Sequence, residues 1–144
     1  MAKKLTRRSF VQNTTAVAAG YWVAGGVQPA ESKSANEKVQ FACIGIGGKG
    51  SSDSADAGKS GDVVSICDTD AKRLKGESKR FKGANTFADF REMLDSMGDK
   101  IDAVTVSTPD HTHAVAAAKA MSMGKHCFCQ KPLTHTIYEA RYLG

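Results

Sequence analysis

A chain of 144 residues with 41% apolar and 24% charged content has the length of one domain and falls outside the disordered, fibrous and collagen-like classes. Its formal charge of +5 is local: residues 1–40 hold six Lys/Arg against two Asp/Glu, and the remainder holds fourteen against thirteen, so no basic groove for nucleic-acid phosphates is indicated. The cysteines at 43, 67, 127 and 129 each lie in or beside an apolar run, which suits buried free thiols rather than a disulfide framework and fits folding in a reducing compartment.

The chain opens with a positive segment, Lys3-Lys4-Leu5-Thr6-Arg7-Arg8-Ser9-Phe10, followed by an uncharged and mildly apolar stretch over 14–27. That order marks a targeting leader, not part of the fold. The run Thr-Arg-Arg-Ser-Phe-Val-Gln resembles the twin-arginine export signal, in which two arginines precede a polar and a large apolar residue. A membrane anchor needs about 20 strongly apolar residues, more than this stretch supplies. The expectation is export to the periplasm by the twin-arginine translocase, with no stable membrane anchor. Residues 1–35 are assigned to leader and linker, with cleavage between 24 and 36, and residues 36–144 to the folded domain.

From Val39 onward, short β-branched runs alternate with polar or amphipathic stretches, as expected for an α/β fold with a parallel sheet covered by helices. Strands are predicted at 39–45, 62–68, 85–87, 101–107 and 125–130. A charged helix is predicted over 70–81. A second is predicted over 87–97, where Phe87, Phe90, Met93, Leu94 and Met97 keep helical spacing. The segment 111–123 is alanine-rich, and Gly124 is placed to form its left-handed C-cap. Thr136 and Glu139 stand at capping-box spacing for a last helix.

The first strand runs into Gly45-Ile46-Gly47-Gly48-Lys49-Gly50, a G-x-G-x-x-G loop with glycines at 45, 47 and 50. In such a loop the first glycine permits a tight turn, the second lets the backbone approach a pyrophosphate, and the third lets the following helix pack on the strand. The helix start then offers N–H groups and a positive dipole end to phosphate. Ser51 to Gly58 is poor in helix formers, which weakens that reading. Asp68 strengthens it, closing the second strand close to the expected distance after Gly45, where its carboxylate can accept the adenosine ribose hydroxyls. This favours NAD, with NADP as the alternative because Lys72 and Arg73 lie nearby. A P-loop is excluded, since position 43 is Cys and Gly50 follows Lys49.

The segment 102–141 is the most specific part. It contains Val-Ser-Thr-Pro-Asp-His-Thr-His, then an alanine-rich stretch, then Cys-Phe-Cys-Gln-Lys-Pro-Leu-Thr. With the glycine loop, the Thr108-Pro109 block with His113 and the Lys131-Pro132 block resemble the Gfo/Idh/MocA oxidoreductases over residues 39–144. The resemblance implies a Rossmann-type, doubly wound parallel sheet binding NAD(P), in an oxidoreductase acting on a sugar or polyol. It implies that Ser107, Thr108 and Pro109 line the nicotinamide side of the cleft, and that Lys131 stands at the nicotinamide and substrate as the catalytic lysine. Gln130 replaces the family's usual glutamate; its amide can still bond a ribose hydroxyl but cannot act on Lys131 by charge. His113 matches the family's histidine and either lines the cleft or holds the loop, while His111 faces solvent.

His111 and His113, two apart at a helix start, face different ways and lack zinc-site spacing, so no metal is expected. Family members carry a second domain that supplies substrate contacts, and on the resemblance this chain is the nucleotide-binding part alone, a fragment inactive by itself. The alternative is a non-catalytic NAD(P)-binding module or a degraded gene product.

Overall fold

The computed structural model describes residues 38–144; the predicted leader and nearly all of its linker lie outside the described residues. Strands and helices alternate in the order β1 (Val39–Ile44), α1 (Lys49–Ser60), β2 (Gly61–Cys67), α2 (Ala71–Glu77), β3 (Asn85–Phe87), α3 (Phe90–Met97), β4 (Ala103–Val106), α4 (Asp110–Ser122), β5 (His126–Cys129) and α5 (Ile137–Leu143). The strands form one parallel sheet in the order β3-β2-β1-β4-β5. The chain thus winds outward from β1 to one side and then from β4 to the other, the doubly wound Rossmann arrangement with its order reversing between β1 and β4.

Alternation along β1 sets the two faces, because successive side chains of a strand point to opposite sides. Ala42 and Ile44 turn to one core with Val104, Val106, Met93, Leu94, Met97, Ala116 and Ala120, so α3 and α4 cover that face. Cys43 turns to the other with Ile46, Ala57 and Ile66, packed by Leu74 and Phe81, so α1 covers the opposite face together with α2 and the turn after it. Burial on both faces is why the strands read as nearly continuous apolar runs.

The helices differ from the expectation mainly at their ends. The predicted helix over 70–81 is helical only to Glu77, with Asp70 as N-cap accepting from Lys72 N–H at 2.8 Å. Phe87 belongs to β3, and α3 starts only after Asp89, whose carboxylate accepts from Arg91 N–H at 2.8 Å. Gly124 holds the left-handed backbone (φ 72°) that ends α4. The capping box of Thr136 and Glu139 is closed in both directions.

Helix α1 forms against its composition, Lys-Gly-Ser-Ser-Asp-Ser-Ala-Asp-Ala-Gly-Lys-Ser. Packing outweighs propensity here. Ser52, Ser54 and Ser60 turn their hydroxyls back onto the helix's own carbonyls, which by itself weakens a helix slightly. Gly50, Asp53, Ser54 and Ala57 form a buried stripe at helical spacing against the sheet, and packing of one face usually contributes more to a helix than propensity does.

Candidate functional site

Where the strand order reverses, between β1 and β4, lie the carboxyl ends of the strands, the position at which open parallel sheets bind ligands. A cleft of about 430 Å³ lies there, lined by Gly45, Gly47, Cys67, Asp68, Arg73, Ser107, Thr108 and Pro109, with Asp89, Arg91 and His111 on its rim. A wider hollow of about 1110 Å³ opens near Gly61 and Asp62, beside Arg80 and Lys100. That hollow sits where β2 begins, and the glycine loop takes no part in it.

The glycines are fixed by contact. A Cβ on Gly45, whose φ is 77°, would stand 2.7 Å from Ser107 O, so this glycine lets the β1 loop close against the β4 loop. A Cβ on Gly50 would overlap Gly45 O, so that glycine lets α1 start directly against the strand end. Gly48 caps α1 and no side chain does, leaving the positive end of a 12-residue helix open to an anion. At Gly47 the structure differs from an open approach. The Arg73 guanidinium lies where a Cβ would meet it at 2.6 Å. It is the far end of a flexible side chain, 57% exposed, so a ligand phosphate would displace or engage it.

Asp68 is nearly buried and already bonded. Its Oδ2 accepts from Ile46 N–H at 3.1 Å and its Oδ1 from Asp70 N–H at 2.9 Å, and Arg73 Nη1 lies 4.0 Å away. A carboxylate offers about four acceptor sites, so roughly half its capacity is left for a ligand. One side chain therefore pins the glycine loop and faces the cleft.

The loop after β4 is held by two other groups. Asp53 Oδ2 accepts from Ser107 Oγ–H at 2.7 Å and Gln130 Nε2–H at 2.9 Å, and its Oδ1 pairs with Lys49 at 2.8 Å. Burial works against the charge on Asp53, but these donors outweigh it and hold the carboxyl below the usual carboxylate range. Asp53 in turn holds Lys49 above the usual lysine range. His113, 1% exposed, places Nε2 2.6 Å from Thr108 O and Nδ1 2.7 Å from Pro132 O. Both partners are carbonyl oxygens that only accept, so whichever ring nitrogen carries the proton donates to the carbonyl facing it.

The site residues predicted from sequence thus separate. Gly45, Gly47, Asp68, Ser107, Thr108 and Pro109 meet at the cleft. Ile46, Gly48, Lys49 and Gly50 build the loop behind it; Lys49 is committed to Asp53 and to Ser52 Oγ at 3.1 Å. Gln130 spends its amide on Asp53. His113 is not a wall of the cleft but a buried link between the loops carrying Thr108 and Pro132. Lys131 is exposed, follows β5 and precedes a cis peptide bond to Pro132. His111 is exposed at the rim. Asp53 is the addition, an acid inside the stripe of positions 50, 53, 54 and 57, whose spacing places it on one helix face; Arg73, named from the sequence only as a neighbour that favours NADP, also lines the cleft.

The thiols take no part in this chemistry. Burial pushes Cys67 up to about 12 and Cys43 and Cys129 up to about 11, so they stay protonated and poorly nucleophilic at neutral pH. A dinucleotide fits what is present. The glycine cradle, the uncapped helix start and Arg73 suit a pyrophosphate, and Asp68 suits a ribose diol. Thr108 adds a buried hydroxyl with no hydrogen-bond partner among the described residues.

Residues 39–144 match the Gfo/Idh/MocA family described as oxidoreductases with an NAD-binding Rossmann fold. Among characterised proteins, the chain is 28% identical over 109 residues to inositol 2-dehydrogenase of Rubrobacter xylanophilus, covering 74% of this chain and 30% of that protein. It is 38% identical over 64 residues to levoglucosan dehydrogenase of Pseudarthrobacter phenanthrenivorans, covering 44% and 16%. In structure it resembles the WlbA dehydrogenase of Bordetella pertussis, solved in complex with NADH and UDP-GlcNAcA, with TM-score 0.64, 26% identity and coverage of 74% and 34%. The chain thus spans about a third or less of the length of each of these proteins.

Proposed function

The chain belongs to the Gfo/Idh/MocA oxidoreductase family, and from that membership we propose that its cleft binds NAD as the nucleotide-binding part of an enzyme acting on a sugar or polyol. One observation carries the reading. The glycine loop closes on Ser107 at the sheet's switch point while Asp68, bonded to Ile46 N–H, faces the same cleft, so the pyrophosphate and ribose determinants are joined in one rigid unit. The names of the relatives, an inositol and a levoglucosan dehydrogenase, support a polyhydroxylated substrate.

Bound nicotinamide supplies the hydride acceptor or donor. The remaining work falls to the chain. The start of α1 and Arg73 offset the pyrophosphate charge. Asp68 accepts the adenosine ribose hydroxyls, and its own charge opposes a 2′-phosphate. Ser107, Thr108 and Pro109 form the nicotinamide side. Lys131, at the carboxyl end of β5, holds or moves the proton of the reacting hydroxyl. The sequence of residues 1–35 supports folding with cofactor in the cytoplasm and then twin-arginine export to the periplasm.

Titration of the 144-residue chain with NADH and with NADPH, read by nicotinamide fluorescence, tests the cofactor assignment. The expected result is saturable binding with NADH the tighter by about tenfold, since one unfavourable charge contact in a partly screened site is worth roughly 1–2 kcal/mol. No binding of either up to millimolar concentration removes the assignment.

A further inference from the structure

Asp53 stands outside every role given above to cofactor or substrate, yet it is 8% exposed and accepts from three side chains, Lys49, Ser107 and Gln130. It gathers the first residue after β4 and the first after β5. Both have their backbones fixed already, since Ser107 N–H donates to Ile44 O at 2.8 Å and Gln130 N–H to Val106 O at 2.9 Å, extending the sheet ladder past the strands. Asp53 adds the side chains: Ser107 Oγ at 2.7 Å and Gln130 Nε2 at 2.9 Å both donate to its Oδ2. His113 then takes the carbonyls just beyond, those of Thr108 and Pro132. Lys131 is therefore bracketed, with the residue before it tied to α1 through Asp53 and the residue after it tied to α4 through His113.

We propose that Asp53 is a positioning residue of the cofactor site, locking the β4 and β5 loops to the phosphate-loop helix and thereby setting the place of Lys131 and of Ser107-Thr108-Pro109. The proposal rests on reading the cleft as a dinucleotide site. Its physical content is the polarity of one contact: α1 supplies the acceptor and position 130 the donor. An acid at 130 would set two carboxylates against each other in a mostly buried place, where an uncompensated charge is costly. The polarity is also reversible. An Asn at 53 with its nitrogen at the Oδ2 position would donate to an acid at 130 and to the Ser107 hydroxyl, which can rotate to accept, while its oxygen would keep Lys49.

The charged and titratable groups around Asp53 are few. Lys49 and Asp56 lie on α1, with Asp56 exposed and paired to Lys59 at 2.7 Å, and the Cys43 thiol on β1 is kept neutral by burial. Ser107 and Gln130 do not titrate. In a Gln130→Glu chain, the facing carboxylates would share a proton in the folded state more readily than in the unfolded state. The penalty is therefore absent at low pH and opens as pH rises through the carboxylate range and above.

The test is thermal melting of the wild-type chain, Asp53→Asn, Gln130→Glu and the double variant Asp53→Asn/Gln130→Glu between pH 5 and pH 8, with NADH titration of the same four. The expected order at pH 8 puts Gln130→Glu lowest, by roughly 5–10 °C, with the gap narrowing toward pH 5. The double variant should regain more than half of the loss and flatten the pH dependence. A Gln130→Glu chain that fails to fold at pH 8, beside a double variant that folds, gives the same answer. NADH affinity should follow the same order, with Gln130→Glu weaker than wild type by about tenfold. A Gln130→Glu chain that melts like wild type at pH 8, or a double variant as unstable as it, overturns the interlock. A lowered melt with unchanged NADH affinity overturns the positioning role. Absence of NADH binding in the wild-type chain defeats the reading of the cleft instead, and the melting series, which needs no cofactor, still decides whether residues 53 and 130 are interlocked.

Discussion

Gly50→Ala should lower the melting temperature of the chain by roughly 15–25 °C and abolish NADH binding with it. The added Cβ would overlap Gly45 O, and Gly45 C would lie 2.8 Å from it and Ser107 Cβ 3.2 Å. The first two are backbone atoms at the end of a central strand, fixed on one side by Gly45 N–H donating to Cys67 O at 2.8 Å. The clash is therefore relieved only by moving α1 away from the sheet. Overpacking in a rigid place costs about 1–3 kcal/mol, and more where nothing yields, against about 5–15 kcal/mol of total stability for a domain. The displaced helix also carries the phosphate end of the site, so affinity falls with stability. Gly76→Ala is the control. It is exposed in α2 with open space where a Cβ would sit, and replacing glycine by alanine in an exposed helix should stabilise by about 0.5–1 kcal/mol.

The second large effect belongs to Asp68. Asp68→Asn should weaken NADH by about 10- to 100-fold, because a hydrogen bond to a charged group contributes about 1.5–3 kcal/mol. NADPH should lose far less or gain. The substitution removes the negative charge that opposes a 2′-phosphate and leaves Arg73, otherwise 4.0 Å from Asp68 and 3.5 Å from Asp70, as the nearby cation. The asymmetry between the two nucleotides separates this from simple damage to the loop. Loss of the Ile46 contact alone would weaken both equally. Parallel titrations with NADH and NADPH check it, and an equal loss for both would assign Asp68 to the loop and not to the ribose.

The parallel sheet was legible because β1, β2, β4 and β5 each carry a short apolar run closed by a polar residue or glycine, Gly45, Asp68, Ser107 and Gln130. The glycine loop and Asp68 were legible because their chemistry depends on spacing along the chain. Helix α1 was harder. Its serines and acids argue against a helix, and what decides in its favour is a buried stripe whose partners, Gly45 and Ser107, lie on other elements. Asp53 was missed for the same reason: an acid among serines shows nothing of what it faces, and of its three donors only Lys49 is near in sequence, Ser107 and Gln130 being 54 and 77 residues away. His113 carried two alternatives, cleft wall or loop holder, and only the positions of Thr108 O and Pro132 O separate them. The Arg73 side chain lying over Gly47 follows from the turn between β2 and α2, which no periodicity describes.

The most direct measurement of the central claim is amide chemical-shift mapping of the isotope-labelled chain as NADH is added. The largest shifts are expected at residues 45–50, at 68–73 and at 107–109, around one cleft. Shifts confined to a second groove of about 690 Å³, lined by Val115 and Lys119 of α4 and Tyr138 and Tyr142 of α5, or to the hollow by Gly61 and Arg80, would contradict that placement, as would a spectrum that NADH leaves unchanged.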